Sequence, residues 1–323
     1  MNIRKLPSGN YQIRLMENGK NYTVTVDHKP TQTEALKLIS EVVPKSIKKM
    51  TLFDACNAYI ESKNNVLSVS TIRGYKGIIK ALNSDIGDML IMDITKPMIQ
   101  TEVNAYAKDH SPKSTANFGF FLLSVLDYYG NPIKGIVFPQ KEKKSPYIPT
   151  EEEVKAIFKE IKGGKYEVPI MLAALGLRRS EICALTLDDL DGNILSVNKA
   201  LVQGYGEEWH VKGTKTTDST RLVALPDYLA NLIREQGYIF NGYPSAINMH
   251  LHKVQKKLGI ESFSLHKLRH FFASYMHDLG YSDKQIQSVG GWKTDSIMKT
   301  VYTHAMDMEN TKKAMANNIG SLI

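Results

Sequence analysis

Two alternating stretches near the start of the chain predict a β-hairpin. In residues 11–15 and 22–26, apolar and polar side chains alternate, so one face of each strand can meet a core. Between them, Asn18-Gly19 accepts the positive φ angles of a tight turn. Apolar residues then recur at helical spacing as far as residue 43, and Pro44 ends the short helix that this spacing predicts.

Helical spacing dominates the region that follows a linker at residues 44–50. Apolar stripes over residues 52–60, 72–82 and 99–106 each fit one face of an amphipathic helix. A fourth helix, residues 112–129, has too many apolar side chains for a single stripe. Most of this helix is therefore expected to be buried or to cover a partner.

A basic linker with prolines, residues 141–149, precedes a third region of mixed pattern. Thr150 and Glu153 form a capping box, which marks a helix start. Helical spacing returns from Ser264 onward. Between these helices the pattern predicts three short strands, Ile194 to Val197, Glu208 to Val211 and Arg221 to Ala224.

Together these patterns predict an α+β, multidomain protein. Residues 1–46 would form a small sheet with a helix, and residues 51–140 an all-α domain. Residues 146–323 would form a mainly helical domain with a small antiparallel sheet.

The charge balance narrows the choice of partner. The 323 residues contain 41 Lys and Arg against 33 Asp and Glu, a net charge of +8. Residues 1–50 hold nine basic and four acidic residues, so they carry +5 of this total. An excess of positive charge suits a polyanion such as nucleic acid, although a solvated basic surface is the alternative.

The composition excludes several other classes of protein. Hydrophobic residues make up 42% and charged residues 23%, which argues against disorder. Cys56 and Cys183 lie far apart among apolar residues and are expected to be reduced thiols. Without an apolar leader or a long apolar run, the expected location is the cytoplasm.

Residue types suited to phosphoryl transfer are spread over four segments of the third region. Arg178 follows an expected helix end at Gly176, and Glu181 comes three residues later; a surface arginine beside a cap is the alternative. Lys215 lies in or beside a hairpin turn, which alone is uninformative.

The last two segments add an imidazole, a guanidinium and a phenol. His266 and Arg269 share one helix face, an arrangement suited to an oxyanion. Zinc is disfavoured because no set of cysteine or carboxylate ligands accompanies this pair. Further on, Trp292 precedes Tyr302 by ten residues.

Five motifs occur in a fixed order along this region: G-L-R-x-x-E, a β-turn Lys before Thr, H-x-L-R-H, G-G-W and Y-x-H. This ordered series resembles the catalytic domain of the tyrosine recombinase family, also called lambda-type integrases. The match spans residues 150–305. The middle helical region resembles the family's core-site DNA-binding domain. The basic N-terminal segment looks like the arm-site-binding domain of phage and conjugative-transposon integrases.

The resemblance implies a role for each matching residue. Arg178 and Arg269 would clamp the oxygens of the scissile phosphate. His266 would assist proton transfer, Lys215 would protonate the departing 5′-oxygen, and Glu181 would orient the site from behind. Tyr302 would attack phosphorus and form a 3′-phosphotyrosyl link. The resemblance implies no metal and no other cofactor.

Two assignments keep alternatives. Trp292 stands where most relatives carry histidine, and its indole N–H could donate to a phosphate oxygen but could not carry a proton. It could equally be a core residue. Tyr275 and Tyr281 are other candidate nucleophiles, but one lies in an apolar stripe and the other follows a helix stop, so both are interpreted as structural.

The function implied is a site-specific recombinase that integrates and excises a phage or another mobile element. Its partners would be double-stranded DNA, bound at core and arm sites, and three further copies of the chain in a tetramer. An excision factor and a host DNA-bending protein are possible further partners. Alternatives are a chromosome-dimer-resolving recombinase, a type IB topoisomerase and a non-catalytic DNA-binding regulator. The extra basic N-terminal module favours the integrase, since it could bridge a second DNA site.

Overall fold

The computed structural model describes residues 1–17, 20–42, 50–141, 147–206, 208–213 and 220–292. These residues form the predicted α+β structure, in which helices predominate and the sheets are small and antiparallel. No helix in these ranges is long and apolar enough to cross a lipid bilayer. Contacts divide the chain into two compact units, Met1–Lys143 with Gln203–Glu208 and Lys144–Val202 with Trp209–Ile323.

The first unit begins with a three-stranded antiparallel sheet and a helix. The strands are β1 (Asn2–Lys5), β2 (Tyr11–Glu17) and β3 (Lys20–Val26), in the order β1-β2-β3, and α1 (Gln32–Val42) follows. The predicted hairpin is confirmed as β2 and β3, which pair Ile13 with Val24. Its turn, residues 18–19, lies outside the described residues. Strand β1 was not predicted, because Ile3 alone gives no visible alternation.

Between residues 50 and 141, the regular structure of the first unit is mainly helical. The helices are α2 (Leu52–Ser62), α3 (Val69–Ala81), α4 (Ser84–Gly87), α5 (Lys96–Ala107) and α6 (Pro112–Tyr128). Most of α6 is buried, as its excess of apolar residues predicts; Phe118, Phe121 and Leu122 are each at most 2% exposed. Phe120 on the same helix is 56% exposed.

One hydrophobic core joins the N-terminal sheet to the helices of the first unit. Ile13 and Leu15 of β2 and Ala35 and Ile39 of α1 pack in the same buried cluster as the apolar faces of α2, α5 and α6. The boundary predicted at residue 46 lies among residues 43–49, outside the described residues. The second predicted boundary leads into residues 142–146, which are also outside them, so the division into three domains stays a prediction.

The second unit is mainly helical, and its first helix begins at the predicted capping box. Thr150 Oγ1 accepts from the backbone N–H of Glu153, and the carboxylate of Glu153 accepts from that of Thr150. Its helices are α7 (Glu151–Ile161), α8 (Glu167–Ala174), α9 (Arg179–Ile182), α10 (Asp227–Gln236), α11 (Pro244–Leu258), α12 (His266–Asp278) and α13 (Asp283–Gly290).

The strands of this region form two small sheets. A three-stranded sheet has the order β4 (Leu190–Asp191), β5 (Ile194–Val197) and β8 (Arg221–Ala224), and a two-stranded sheet pairs β6 (Lys199–Gln203) with β7 (Trp209–Gly213). The predictions of β5 and β8 are confirmed. The predicted strand from Glu208 is found one residue later, and β4 and β6 were not predicted. Strand β6 is half-buried at every position, so its sequence lacks a clear alternation.

Candidate active site

A buried carboxylate, that of Glu181, lies at the centre of the candidate active site. Glu181 belongs to α9, a single turn that begins directly after Arg178, and 5% of its side chain is exposed. Its Oε1 accepts from Arg178 Nη1 at 2.6 Å, and its Oε2 accepts from the backbone N–H of Arg178 at 2.8 Å. Glu181 therefore holds both the backbone and the guanidinium of Arg178.

The second partner of Glu181 is Arg221, which the sequence analysis does not single out. The Nη2 and Nη1 atoms of Arg221 donate to the two oxygens of Glu181 at 2.8 and 3.2 Å, a bidentate pairing. Its Nε donates to the carbonyl of Val289 at 2.7 Å. Only 5% of its side chain is exposed. The alternation of β8 places Arg221 on the same inward face as Val223, and this is the signal that could have found it.

The charge state of Glu181 follows from these contacts. Burial opposes ionisation, but the hydrogen bonds and positive charge of Arg221, followed by those of Arg178, outweigh it and hold the pKa of Glu181 below its usual value. Glu181 is therefore a carboxylate at neutral pH. It cannot donate a proton there, and it acts on the site through its position and charge.

Arg269, on α12, is the most deeply buried cation of the candidate site. It is 1% exposed, and its Nη1 donates to the carbonyls of Gly176 and Gly290. Within the described residues, its Nη2 has no hydrogen-bond partner. Burial and repulsion by Arg178 lower the pKa of Arg269 to about 9, which leaves it charged at neutral pH. A buried donor without a partner is costly, so this atom favours an incoming anion.

Trp292 lies against Arg269 and forms part of the protein interior. It is 8% exposed, the guanidinium carbon of Arg269 lies 3.8 Å from its ring centroid, and Phe272 stacks on it. Its surroundings match the alternative that Trp292 is a core residue. A contact between its indole N–H and a phosphate stays a prediction.

The two glycines before Trp292 are required by close packing. A Cβ on Gly290 would lie 1.7 Å from the indole of Trp292. Gly291 has a φ of +67°, and a Cβ there would lie 2.9 Å from Arg221 Nη1. The carbonyl of Gly291 accepts from Arg178 Nη2 at 2.8 Å. The G-G-W segment thus supplies backbone acceptors to the arginines of the site and leaves no room for larger residues.

His266 and Arg178 open onto a shared cavity of about 410 Å³. His266 is the first residue of α12, and its ring lies edge-on to that of His270 with 4.8 Å between the ring centroids. The residues that line the cavity are Leu177, Arg178, Arg179, Ser180, Asn248, Ser264, Leu265 and His266.

Asn248 links the cavity wall to the start of α12. Its Oδ1 accepts from the backbone N–H of Leu265 at 2.8 Å, one residue before His266. The sequence analysis did not identify Asn248, and nothing in the helical pattern of α11 distinguishes it from other polar residues on that helix.

Two predicted site residues, Lys215 and Tyr302, lie outside the described residues. The rival tyrosines are both described: Tyr275 stacks on Phe271 with 5.3 Å between the ring centroids, and Tyr281 is 50% exposed. Across the described ranges, no cluster of three or more His, Cys, Asp or Glu residues could hold a metal ion.

Taken together, the described residues form a strongly cationic cluster. Three guanidiniums, those of Arg178, Arg221 and Arg269, surround the single carboxylate of Glu181, so positive charge is in excess. Arg178 borders the cavity, and Nη2 of Arg269 has no hydrogen-bond partner among the described residues. Guanidiniums are permanently charged, planar donors that suit a phosphate.

Two models of known protein families match parts of this chain. The model of the phage integrase family matches residues 147–309, about half of the chain. The chain belongs to the phage integrase family. A second model, described as the phage integrase N-terminal SAM-like domain, matches residues 51–106, which are the helices α2, α3, α4 and most of α5.

Curated relatives agree with this membership. A tyrosine recombinase XerC from Staphylococcus epidermidis is 29% identical over 197 residues, which cover 56% of this chain and 65% of the relative. The chain therefore spans somewhat less than two thirds of that relative's length. The integrase of Staphylococcus phage L54a is 22% identical over 332 residues, covering 83% of this chain and 93% of the relative.

Solved structures show the same fold. The Tn1549 transposon integrase in complex with transposon right end DNA is 18% identical and has a TM-score of 0.66, covering 84% of this chain and 100% of that one. A lambda integrase tetramer bound to a Holliday junction is also 18% identical and has a TM-score of 0.58, covering 91% of this chain and 96% of that one. The family predicted from the ordered motifs is confirmed.

Two histidines on α12, His266 and His270, have pKa values below that of a free histidine. The ring of His266 is partly desolvated by neighbouring protein atoms although the residue is exposed, and this desolvation, followed by the charges of Arg269 and Arg178, lowers its pKa. Burial, followed by the charge of His266, lowers the pKa of His270 from 6.5 to about 4. Both rings are therefore neutral at pH 7, and His266 can accept a proton from a neighbouring group.

We predict that acid destabilises the second unit through His270. The unfolded chain protonates this histidine near pH 6.5 and the folded chain near pH 4, so stability is lost as the pH falls through that window. The substitution His270→Gln should remove a loss on the order of 1 to 2 kcal/mol between pH 7 and pH 5. Urea unfolding at both pH values measures this loss, and an unchanged difference in the variant would contradict the assignment.

Proposed function

We propose that this chain is a site-specific DNA recombinase that breaks and rejoins DNA strands through a 3′-phosphotyrosyl intermediate formed by Tyr302. The observation that carries the proposal is the grouping of Arg178, Arg269 and His266, which come from two separate motifs and lie in one unit. Family membership and the DNA-bound structures of similar fold support it.

Each described residue fits one part of a phosphoryl transfer. Arg178 at the cavity and Arg269, with its spare Nη2, would bind the non-bridging oxygens and stabilise the charge that develops in the transition state. His266, neutral at pH 7, would accept a proton near the nucleophile or phosphate. Trp292 would hold Arg269 in place by packing its ring against the guanidinium.

The remaining steps belong to Tyr302 and Lys215. The phenolate of Tyr302 would attack phosphorus, and Lys215 would protonate the departing 5′-oxygen. The covalent link conserves the energy of the broken bond, and the arginines supply positive charge, so no metal or other cofactor is required by this scheme. Attack by the freed 5′-hydroxyl of another strand would then release Tyr302 and complete the exchange.

The nucleophile is tested with a nicked suicide duplex that carries the crossover site of the element encoding this chain. The wild type should form a covalent protein–DNA adduct, and Tyr302→Phe should form none, because the attacking oxygen is missing. Tyr275→Phe and Tyr281→Phe serve as matched controls and should keep the adduct. An adduct from Tyr302→Phe, seen as a slower band on a denaturing gel, would refute the assignment.

We further propose that the N-terminal sheet binds DNA at an arm site. Its solvent face presents polar side chains with both donors and acceptors, and Arg4 and Arg14 are tied to neighbouring strands by bonds to Gln12 and Asn21 at 3.1 and 3.0 Å. Such a face can enter a major groove and read base edges. The residues on this face are Asn2, Arg4, Gln12, Arg14, Met16, Asn21, Thr23 and Thr25.

Arg14→Gln in the full chain tests this surface. If Arg14 contacts a base, affinity for attachment-site DNA should fall by roughly 10- to 100-fold at fixed salt, with a smaller change for random DNA. Lys159→Gln, an exposed charge on α7, is the matched control and should change neither affinity. Equal losses on both DNAs, measured by fluorescence anisotropy, would leave only a basic surface without sequence preference.

The assembly and biological setting are part of the same proposal. A homotetramer would bring two DNA sites together in the cytoplasm and integrate or excise a phage or another mobile element. An excision factor and a host DNA-bending protein would be its possible partners. Similarity to tyrosine recombinase XerC keeps chromosome-dimer resolution as the second candidate. The integrase is preferred because the polar sheet face would provide a second DNA contact.

A further inference from the structure

We propose that Arg221 is a charge-compensating and positioning residue: by neutralising Glu181, it leaves the positive charge of Arg178 available to the phosphate. The inference rests on the proposed function, since it requires a phosphodiester at Arg178. It concerns a residue that none of the catalytic motifs contains.

The first argument is the sharing of one carboxylate by two guanidiniums. Glu181 lies within 2.6 Å of Arg178 Nη1 and within 2.8 Å of Arg221 Nη2, and its two oxygens are used by both arginines. An ion pair of Glu181 with Arg178 alone has no net charge and attracts an anion weakly. Adding Arg221 restores one positive charge to the group.

The second argument is the difference in exposure between the two arginines. The side chain of Arg178 is 39% exposed and borders the cavity, whereas that of Arg221 is 5% exposed. Arg221 is therefore placed to act on Glu181, while Arg178 is placed to meet a ligand. Because charges interact more strongly away from water, a buried compensating cation is effective at this distance.

The third argument is the turn that both arginines share. Arg221 Nε donates to the carbonyl of Val289, and Arg178 Nη2 donates to the carbonyl of Gly291, two residues later. Gly291 packs so closely on Arg221 that a Cβ would lie 2.9 Å from Nη1. Arg221 thus fixes the turn that provides the second anchor of Arg178.

Substitutions can separate charge from packing. In the group of Arg178, Glu181 and Arg221, the wild type has a net charge of +1, Arg221→Met has 0, and the double variant Arg221→Met with Glu181→Gln has +1 again. Arg221→Lys keeps the charge but loses the bidentate geometry. A purely structural role predicts that the double variant is no better than Arg221→Met.

The experiment measures the rate of adduct formation on the nicked suicide duplex, once with an ordinary scissile phosphate and once with an uncharged methylphosphonate there. Arg221→Met should lose about tenfold or more on the ordinary phosphate, less than the roughly 100-fold or greater loss for removing a direct donor. Its loss on the methylphosphonate should be smaller, because no full negative charge is bound.

The double variant and Arg221→Lys should each recover part of the rate of adduct formation. The control Arg234→Met, which changes an exposed arginine on α10, should match the wild type.

The outcomes separate the two proposals. If the wild type forms no adduct at all, the proposed function fails and the role of Arg221 fails with it. If the wild type reacts but Arg221→Met is equally slowed on both substrates and the double variant shows no recovery, the role of Arg221 alone is overturned. Circular dichroism checks that each variant folds. If Arg221→Met does not fold, the double variant takes its place. A double variant that folds but reacts at no more than about 1% of the wild-type rate, the level expected for loss of a direct donor, also overturns the role of Arg221.

Discussion

The buried carboxylate of Glu181, held between Arg178 and Arg221, is the interaction on which the candidate active site depends. An ionised side chain that is 5% exposed is stable only when it is paired and hydrogen-bonded, and here two guanidiniums and a backbone N–H supply that pairing. The pairing joins α9 to β8. It also leaves the other donors of both arginines to bind the backbone of residues 289–291, so three separate segments are held in one arrangement.

The turn at residues 289–291 carries a second constraint. Its carbonyls accept from three arginines, and its two glycines are packed too closely to carry a side chain. Trp292 follows directly and covers Arg269 and Phe272. A site rich in arginine would repel itself without acceptors of this kind, and the turn provides them through neutral backbone groups instead of further carboxylates. Positive charge is thereby left over for an anion.

Much of the fold could be predicted from local pattern. Helical stripes found α2, α3, α5 and α6, a capping box fixed the start of α7, and the alternation of residues 11–15 found a strand whose inward face is buried. The helices α10 and α11 were not predicted individually. The ordered motifs brought Arg178, Glu181, His266, Arg269 and Trp292 to one region, and the structure places these five in the same unit. Membership in the phage integrase family explains why order and spacing were sufficient.

What the sequence did not predict depends on tertiary contacts. Arg221 begins a short strand, and an arginine in a strand is usually interpreted as solvent-exposed. The alternation of β8 indicates its inward face, but its partner, a carboxylate 40 residues away, is a tertiary contact that the pattern does not reveal. Strand β6 has half-buried residues on both faces, so no alternation marks it. For Trp292, the pattern left a donor role and a core role open, and its contacts with Arg269 and Phe272 describe the core.

The central claim is that Glu181 is an ionised carboxylate between two guanidiniums, and its ionisation state can be measured directly. In protein labelled with ¹³C at glutamate carboxyls, the Glu181 resonance can be assigned by its loss in Glu181→Gln and followed through a pH titration. The account predicts a pKa below that of an ordinary glutamate, with a carboxylate present throughout the neutral range. A pKa above the ordinary value would mean that burial outweighs the arginines, and it would contradict the account.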